Sequence, residues 1–133
     1  MGILAGIDLL AKYVAGKDGP GEVGCRYRDY LNGYCQPLAK DDPETLYQFR
    51  NALIHSFGLY SQSRSKIYHF GMSFLGKTLI THGGRGGYTI DLPVLHKRFE
   101  QSISLFQSAL NTDKNLQNNF KAMFPKYGAT RYG

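Results

Sequence analysis

The sequence predicts a mainly α-helical protein, an up-and-down bundle of about five helices with a small antiparallel β-sheet inserted at about residues 66–90. Apolar residues recur at intervals of three and four over most of the chain, which is typical of helices. After Lys66 the period changes to two, which is typical of strands. Glycine-rich stretches separate these segments. The 133 residues fit one domain, which we place at residues 1–125, followed by a basic tail at 126–133.

The first two helices are predicted on either side of a glycine-rich loop. In residues 2–15 the apolar positions cover the circumference except for a narrow strip formed by Asp8 and Lys12. A helix this apolar belongs in the middle of a bundle. Residues 16–24 hold four glycines and a proline and form the loop, and the second helix is expected at 25–35.

The third helix has clear start and stop signals. Asp42 is a good N-cap, and Pro43 suits the first helical position. Glu44 lies in the first turn, where the helix dipole favours a negative charge. The apolar stripe continues to Phe57, and Gly58 is a natural stop.

Three strands are predicted between the third and fourth helices. Aromatic or apolar residues alternate with polar residues and glycine from 66 to 74, which indicates the first strand. The second is expected at 78–81 and the third at 88–90, with a glycine turn between them at 83–87. Together these strands are expected to form a small antiparallel sheet inserted between helices.

Two helices complete the predicted fold. The fourth begins at Asp91 and keeps a helical apolar spacing to about Asn111. Asp113 caps a short fifth helix, and Pro125 is expected to end it.

Composition favours a soluble protein with an anionic partner. Sixteen basic residues against ten acidic ones give a net charge of +6, so RNA or another anionic ligand is favoured, although the same excess can simply keep a surface solvated. Cys25 and Cys35 are expected to be reduced thiols in the cytoplasm. The apolar N-terminal run is too short to span a bilayer, so no membrane is expected. His69, His82 and His96 lack ligand spacing, so we expect no metal and no cofactor.

The segment from Arg50 to His55 is the strongest candidate for chemistry. On a helical wheel of about 100° per residue, Arg50 falls within the arc that contains Leu53 and Phe57. A guanidinium at a core position needs a partner, because an unpaired buried charge is very unfavourable. We therefore expect Arg50 to face a carboxylate, for which Asp8 is the obvious candidate, or an interface, or an anionic ligand.

These side chains suit acid–base chemistry on a phosphodiester. His55 can transfer protons near neutral pH, Arg50 can hold phosphate oxygens and stabilise developing charge, and Asn51 can orient either group. Arg50 and His55 lie about 140° apart around a helix and roughly 7.5 Å apart along it, so one helix cannot easily aim both at one phosphate. A symmetric dimer that pairs two such helices would bring them together.

The run Arg50-Asn51-Ala52-Leu53-Ile54-His55 resembles the Arg-x4-6-His motif of HEPN domains (higher eukaryotes and prokaryotes nucleotide-binding). It has the form in which a polar residue follows the arginine. Asp8-x3-Lys12 resembles the acidic-x3-basic element of some of these domains, with Asp in place of the more usual Glu. The helices around the motif suit the helical bundle of the family, so the resemblance covers most of residues 1–125, with the sheet as an elaboration.

The resemblance implies a homodimer and, for many members, a metal-independent endoribonuclease of toxin–antitoxin, antiviral or RNA-processing systems. In such enzymes the Arg and His of two protomers share a cleft, and the ribose 2′-hydroxyl attacks the adjacent phosphate to leave a 2′,3′-cyclic phosphate end. Arg50, Asn51 and His55 would then be catalytic, with Asp8 and Lys12 in support. An antitoxin or a nucleotidyltransferase is the implied partner. Other members are inactive and bind RNA, nucleotides or proteins.

Simpler interpretations stand beside these. Arg50 can form an internal salt bridge, His55 can be a cation at a helix C-terminus, and Asn51 can be a surface amide. Arg64, Lys66 and Arg85 around the sheet are candidate RNA contacts, with a solvated basic surface as the alternative. The Gly-Gly-Arg-Gly-Gly run around Arg85 resembles a nucleic-acid-binding arginine–glycine box, although a hairpin turn explains such a run more often.

Overall fold

The computed structural model describes residues 2–55, 60–63 and 66–127, and this part of the chain is mainly helical with one small sheet. The helices are α1 (Gly2–Ala15), α2 (Val23–Tyr34), α3 (Asp42–His55), α4 (Leu92–Leu110) and α5 (Lys114–Tyr127); the strands are β1 (Tyr60–Ser63), β2 (Lys66–Ser73), β3 (Ile80–His82) and β4 (Gly87–Asp91). The predicted fold class, five helices with a small inserted sheet, is confirmed. No helix in these described ranges is long and apolar enough to cross a bilayer.

The chain forms two compact units. The first contains α1, α2 and α5, and the second contains α3 and the sheet. Residues 92–100 of α4 belong to the second unit, and residues 101–110 belong to the first.

The first unit is built on α1, which packs against both α2 and α5. Its apolar cluster centres on Tyr13, Phe106 and Leu116, and the ring centroids of Tyr13 and Phe120 lie 4.8 Å apart. Of the two cysteines of this unit, Cys25 is exposed and Cys35 is buried, and their reduced state stays a prediction. The extended apolar surface predicted for α1 is therefore used in packing.

The start of α3 differs by one residue from the predicted start. The N–H of Thr45 donates to the carbonyl of Asp41 at 3.0 Å, so Asp41 takes the N-cap position. The carboxylate of Asp42 instead accepts a hydrogen bond from the N–H of Ala39 at 2.8 Å, in the turn before the helix. Pro43 remains in the first turn, where a missing N–H costs the helix no bond.

The sheet is mixed, so the prediction of an antiparallel sheet is wrong. Its strand order is β1-β2-β4-β3, with β1–β2 and β3–β4 antiparallel but β2–β4 parallel. The chain leaves β2, passes to the far edge as β3, and returns by a hairpin to insert β4 in the middle. The order of the strands along the chain could not predict this parallel pairing, because β2 pairs with β4 and not with β3, the next strand in the sequence. The sheet also begins earlier, at β1.

A buried carboxylate holds this crossover in place. Asp91, at 1% exposure, accepts hydrogen bonds from the hydroxyl of Ser73 at 2.9 Å and from the N–H groups of Leu75 and Gly76 at 3.0 Å each. It also accepts the N–H of Val94 at 3.1 Å, which caps α4. Burial raises the pKa of this carboxyl, but the hydrogen bonds outweigh burial, and the pKa lies below its ordinary value.

The two faces of the sheet have different surroundings. The packed face carries buried aromatic and aliphatic side chains, and α3 contacts it along β1 and β2; its members are Tyr68, Phe70, Ile80, Tyr88 and Ile90. The period of two predicted from Lys66 is correct for Tyr68 and Phe70, whereas Met72 and Phe74 are 44% and 72% exposed. The alternation of apolar residues in the sequence therefore extends past the part of β2 that α3 covers.

The last helix continues past the proline that was expected to end it. Pro125 lies inside α5, which runs to Tyr127, so the first residues of the predicted basic tail are helical. The carboxylate of Asp18 accepts hydrogen bonds from Lys126 at 3.2 Å and Tyr127 at 2.8 Å, and these two bonds lower its pKa. These contacts stabilise the final turn, where the proline removes only one backbone bond.

We expect Asp91→Asn to lower the melting temperature by several degrees at pH 7. The amide can still cap α4 through its oxygen, but its NH2 group faces the N–H groups of Leu75 and Gly76 and cannot accept from them. Because the pKa of Asp91 is lowered in the folded state, its ionisation stabilises the protein above the unfolded pKa, and this stabilisation is lost as the pH falls below about 4. Melts of both proteins at pH 7 and pH 3 should therefore converge at the lower pH.

Asp113→Asn is the matched control. Asp113 is exposed and caps α5 through one bond, from the N–H of Leu116 to Oδ1 at 3.0 Å, and asparagine caps equally well. This variant should melt as wild type does. Equal effects of the two substitutions at pH 7 would show that Asp91 is only a helix cap.

Candidate functional site

The helix that carries the candidate site is fixed by its packing on the sheet. The buried residues of α3, among those described, are Pro43, Thr45, Leu46, Gln48, Phe49 and Ala52. The rings of Phe49 and Phe70 meet edge to face with centroids 5.3 Å apart. The side-chain oxygen of Gln48 accepts a hydrogen bond from the hydroxyl of Ser61, and its amide donates to Glu44 at 2.9 Å. This face of α3 is thus held by both apolar and polar contacts.

Arg50 lies at the border of the buried face, which differs from the predicted core position. It is partly buried, and Leu53 is also only partly buried. The wheel centred the apolar arc on leucine and phenylalanine, whereas packing against β1 and β2 rotates the buried face toward Thr45 and Gln48. The hydroxyl of Thr45 donates to the carbonyl of Asp41, and Gln48 accepts from Ser61 of the sheet, so both polar side chains can be buried. Hydrophobic periodicity cannot predict burial of this kind.

The guanidinium of Arg50 contacts its own helix. Its Nη1 donates a hydrogen bond to Oδ1 of Asn51 at 2.8 Å. Its central carbon lies 5.7 Å from the ring centroid of Tyr47, at the outer range of a cation–π contact. Asn51 and Tyr47 therefore limit the directions in which Arg50 can present its remaining donors.

His55 is the last residue of α3, one turn after Asn51, and its side chain falls outside the described part of the structure. That His55 and Arg50 act together in one site stays a prediction. The expected ends of this segment, Phe57 and Gly58, are also outside the described residues.

The two supporting residues lie on α1, in the first unit. Nζ of Lys12 is 4.5 Å from the ring centroid of Tyr127, and its charge contributes to the low pKa of Asp18. Asp8 is partly buried on the same helix. Since Arg50 belongs to the second unit, its pairing with Asp8 stays a prediction.

Two of the three candidate RNA contacts lie at one end of the sheet. This turn end is where β2 starts at Lys66 and where the β3–β4 turn, residues 83–86, holds Arg85. Lys66 lies on the packed-face side, with Nζ 4.7 Å from the ring centroid of Tyr68 and 5.5 Å from that of Tyr88. A hydrogen bond with Tyr88 raises the pKa of Lys66. Arg64 lies outside the described residues.

The surface that sequence reasoning missed is the other face of the sheet. Here Tyr60 of β1 lies opposite His69 of β2, and their ring centroids are 5.4 Å apart. Strand β1 was not predicted because Tyr60 is its only apolar residue. The sequence predicted which residues of β2 are exposed, but it did not predict which residues of β1 and β4 lie beside them.

Comparisons with known proteins add no assignment. No protein-family model, curated protein or solved structure matches this chain. Within the described ranges, no group of three or more His, Cys, Asp or Glu side chains is placed to hold a metal ion. The resemblance to HEPN domains therefore rests on the sequence features named above, chiefly the motif of α3.

We expect Arg50→Ala to lower the free energy of unfolding by about 1 kcal/mol or less, because a partly exposed guanidinium and its partners can be solvated by water. Arg26→Ala is the control: Arg26 is 6% exposed and donates to the carbonyl of Gly19 at 2.6 Å, so its loss should be larger. Chemical denaturation measures both.

A loss of about 3–5 kcal/mol for Arg50→Ala would contradict this expectation and would indicate a buried ion pair. In that case the double change Asp8→Asn with Arg50→Ala should be less destabilised than the two single losses summed.

Proposed function

We propose that this protein is a metal-independent endoribonuclease of the HEPN type that acts as a homodimer. The observation that supports it most is the arrangement on α3. Arg50 lies at the partly exposed border of the helix, hydrogen-bonded to Asn51, and His55 ends the same helix one turn later. Arginine, amide and imidazole in this order supply a phosphate clamp, a positioning group and a proton carrier.

The reaction assigns one role to each side chain. His55 takes the proton from the ribose 2′-hydroxyl, or gives one to the leaving 5′-oxygen, while the 2′-oxygen forms a bond to phosphorus. The bond from phosphorus to the 5′-oxygen breaks, leaving a 2′,3′-cyclic phosphate and a 5′-hydroxyl. Arg50 binds the phosphate oxygens as their charge develops, and Asn51 holds the guanidinium in position.

Helix geometry supports a twofold dimer. On an ideal helix, the positions of Arg50 and His55 are separated by about 140° around the axis and roughly 7.5 Å along it. A second copy of α3 across a twofold axis offers the missing group, so that Arg50 of one protomer acts with the partner's His55. Asp8 and Lys12 are proposed to support the site, and an antitoxin or a nucleotidyltransferase is the proposed protein partner.

The alternative is a HEPN-like domain without catalysis that binds RNA, a nucleotide or a protein. One observation favours it: Arg50 bonds to Asn51 and lies over Tyr47 on its own helix, as a structural arginine would. The two functions differ in whether RNA is cut, and a direct assay decides between them.

The purified protein should cleave single-stranded RNA in the presence of EDTA. The products should carry 2′,3′-cyclic phosphate ends, and the same sequence as DNA should survive because it lacks the attacking 2′-hydroxyl. Mass spectrometry of the fragments measures the ends. Cleavage of DNA, or loss of activity with the chelator, would contradict this chemistry.

His55→Ala should reduce the cleavage rate on the order of a hundredfold or more, because it removes proton transfer. The melting temperature should stay near that of wild type. His96→Ala is the control, since His96 is an exposed histidine of α4 that pairs with Glu100 at 3.1 Å. Wild-type cleavage by His55→Ala would remove the catalytic role, and a much lower melting temperature would identify a structural histidine.

A mixture of two inactive variants tests the shared site. Arg50→Ala keeps His55, and His55→Ala keeps Arg50, so a mixed dimer has one complete pair across the axis. Co-expression of the two variants should restore part of the activity that each lacks alone. No recovery in a mixed dimer confirmed by native mass spectrometry would show that the two groups do not act across protomers.

A further inference from the structure

The face of the sheet opposite to α3 presents exposed ring surfaces. We call it the open face; by strand register it includes Tyr60, Ile67, His69, Gly71, Thr81 and Thr89. Tyr60 is 42% exposed and Ile67 is 40% exposed, and His69 is exposed beside Tyr60. Neighbouring aromatic rings on a solvated sheet surface offer π-faces to a flat ligand.

Gly71 leaves this face flat at its centre. It lies in the middle of β2, directly opposite Thr89, where glycine weakens a strand. A Cβ added here would meet only the hydroxyl of Thr89, at an ordinary 3.6 Å, so packing among the described residues does not require glycine. Absence of a side chain in a strand that has room for one is typical of a place where a ligand approaches the backbone closely.

Arg85 occupies a strained position at the turn end. Arg85 and Gly86 have φ values of +54° and +75°, and Gly87 N–H donates to the carbonyl of Gly84 at 3.2 Å, which defines a type I′ turn. Asparagine or glycine is preferred at the position of Arg85. A non-glycine residue held at positive φ indicates a functional constraint when the fold does not need that side chain.

The turn also has a fixed position relative to the rings. A Cβ on Gly86 would lie 2.5 Å from the carbonyl oxygen of Ile67, so the turn approaches β2 more closely than any other residue allows. The N–H of His69 donates to the carbonyl of Gly86 at 2.9 Å. Arg85 is therefore presented next to the start of the open face rather than on an independent loop.

The charge of this region is positive. Among the described residues of the four strands, the open face carries no exposed carboxylate; Asp91, which shares its register, is buried under the 74–77 loop. Arg85 lies at the turn end, and Phe74, 72% exposed, follows β2 at the opposite end. A polyanion with flat groups complements this combination of rings, glycine floor and arginine.

We propose that the open face binds a short single-stranded segment of nucleic acid, with unpaired bases stacked on Tyr60 and His69 over Gly71 and with phosphates held by Arg85. A duplex fits less well, because its bases are already stacked on each other and only its edges are accessible. This binding site is separate from α3 and does not depend on cleavage there.

The probe is a fluorescein-labelled oligouridylate of about 12 nucleotides with 2′-O-methyl riboses, a length that covers one binding platform. Since it lacks a free 2′-hydroxyl, an active α3 site cannot cleave it, and failure of the proposed nuclease does not affect the measurement. Fluorescence anisotropy at low salt should show binding that weakens as salt rises. The duplex form should bind more weakly. Equal binding of the duplex, or no binding of the single strand, would overturn the proposal.

The side chains on the open face give the first set of variants. Tyr60→Ala and His69→Ala should each weaken binding about tenfold, because each removes one stacking surface. Leu105→Ala is the control, since Leu105 is 53% exposed but lies on α4 and belongs to neither proposed site. Wild-type affinity in both ring variants would show that the oligonucleotide binds elsewhere.

The decisive variants should stabilise the fold and yet weaken binding. Gly71→Val adds a β-branched side chain at a strand position where a Cβ meets no clash, so the melting temperature should rise while the blocked floor lowers affinity about tenfold or more. Arg85→Asn supplies the preferred type I′ residue, so it should also raise the melting temperature while it removes a phosphate contact. If Gly71 and Arg85 had only a structural role, the more stable variants would bind the oligonucleotide as wild type does.

Two matched controls separate these effects from those of a change in stability or in net charge alone. Gly33→Ala in α2, where an added Cβ meets nothing within 4 Å, should raise the melting temperature without changing affinity. Lys77→Asn removes one positive charge beyond the opposite end of the sheet and should weaken binding less than Arg85→Asn does. Equal losses from Lys77→Asn and Arg85→Asn, together with wild-type affinity in Gly71→Val, would reduce the interaction to non-specific charge and overturn the proposal.

Discussion

The buried carboxylate of Asp91 is the contact on which the second unit depends. It accepts hydrogen bonds from the hydroxyl of Ser73 at the end of β2, from the N–H groups of Leu75 and Gly76, and from the N–H of Val94 in the first turn of α4. One side chain thus fixes the end of one strand, the crossover loop and the start of a helix. A buried charge is tolerated only when its oxygens are satisfied in this way, and the lowered pKa reflects that satisfaction.

The parallel pairing that Asp91 secures determines which surfaces are available for function. Because β4 lies between β2 and β3, the aromatic residues of the middle strands collect on the face that α3 covers, where Phe49 meets Phe70. The same packing turns Arg50 to the border of α3 and leaves His69 on the uncovered face. Two candidate surfaces in one unit therefore follow from one arrangement of strands.

The two proposals rest on different physics. The α3 site needs proton transfer and charge stabilisation, which depend on the placement of a few side chains and, in our proposal, on a second protomer. The open face needs only accessible rings, a flat floor and positive charge. Its distinguishing residues, Gly71 and Arg85, are those that depart from the local preferences of strand and turn. Such departures are expected where function rather than stability selects the residue.

Local information in the sequence determined the helices: residues 2–15 form α1 as predicted, and the Arg50–His55 motif lies on a helix that begins near Asp42. Periodicity and capping act within a few residues, so they can be read without the fold. Only the tertiary structure decided the order of the strands, the presence of β1, the border position of Arg50 and the burial of Asp91. Each of these depends on partners distant in the chain, and the free energy that selects those partners comes from packing that no local pattern records.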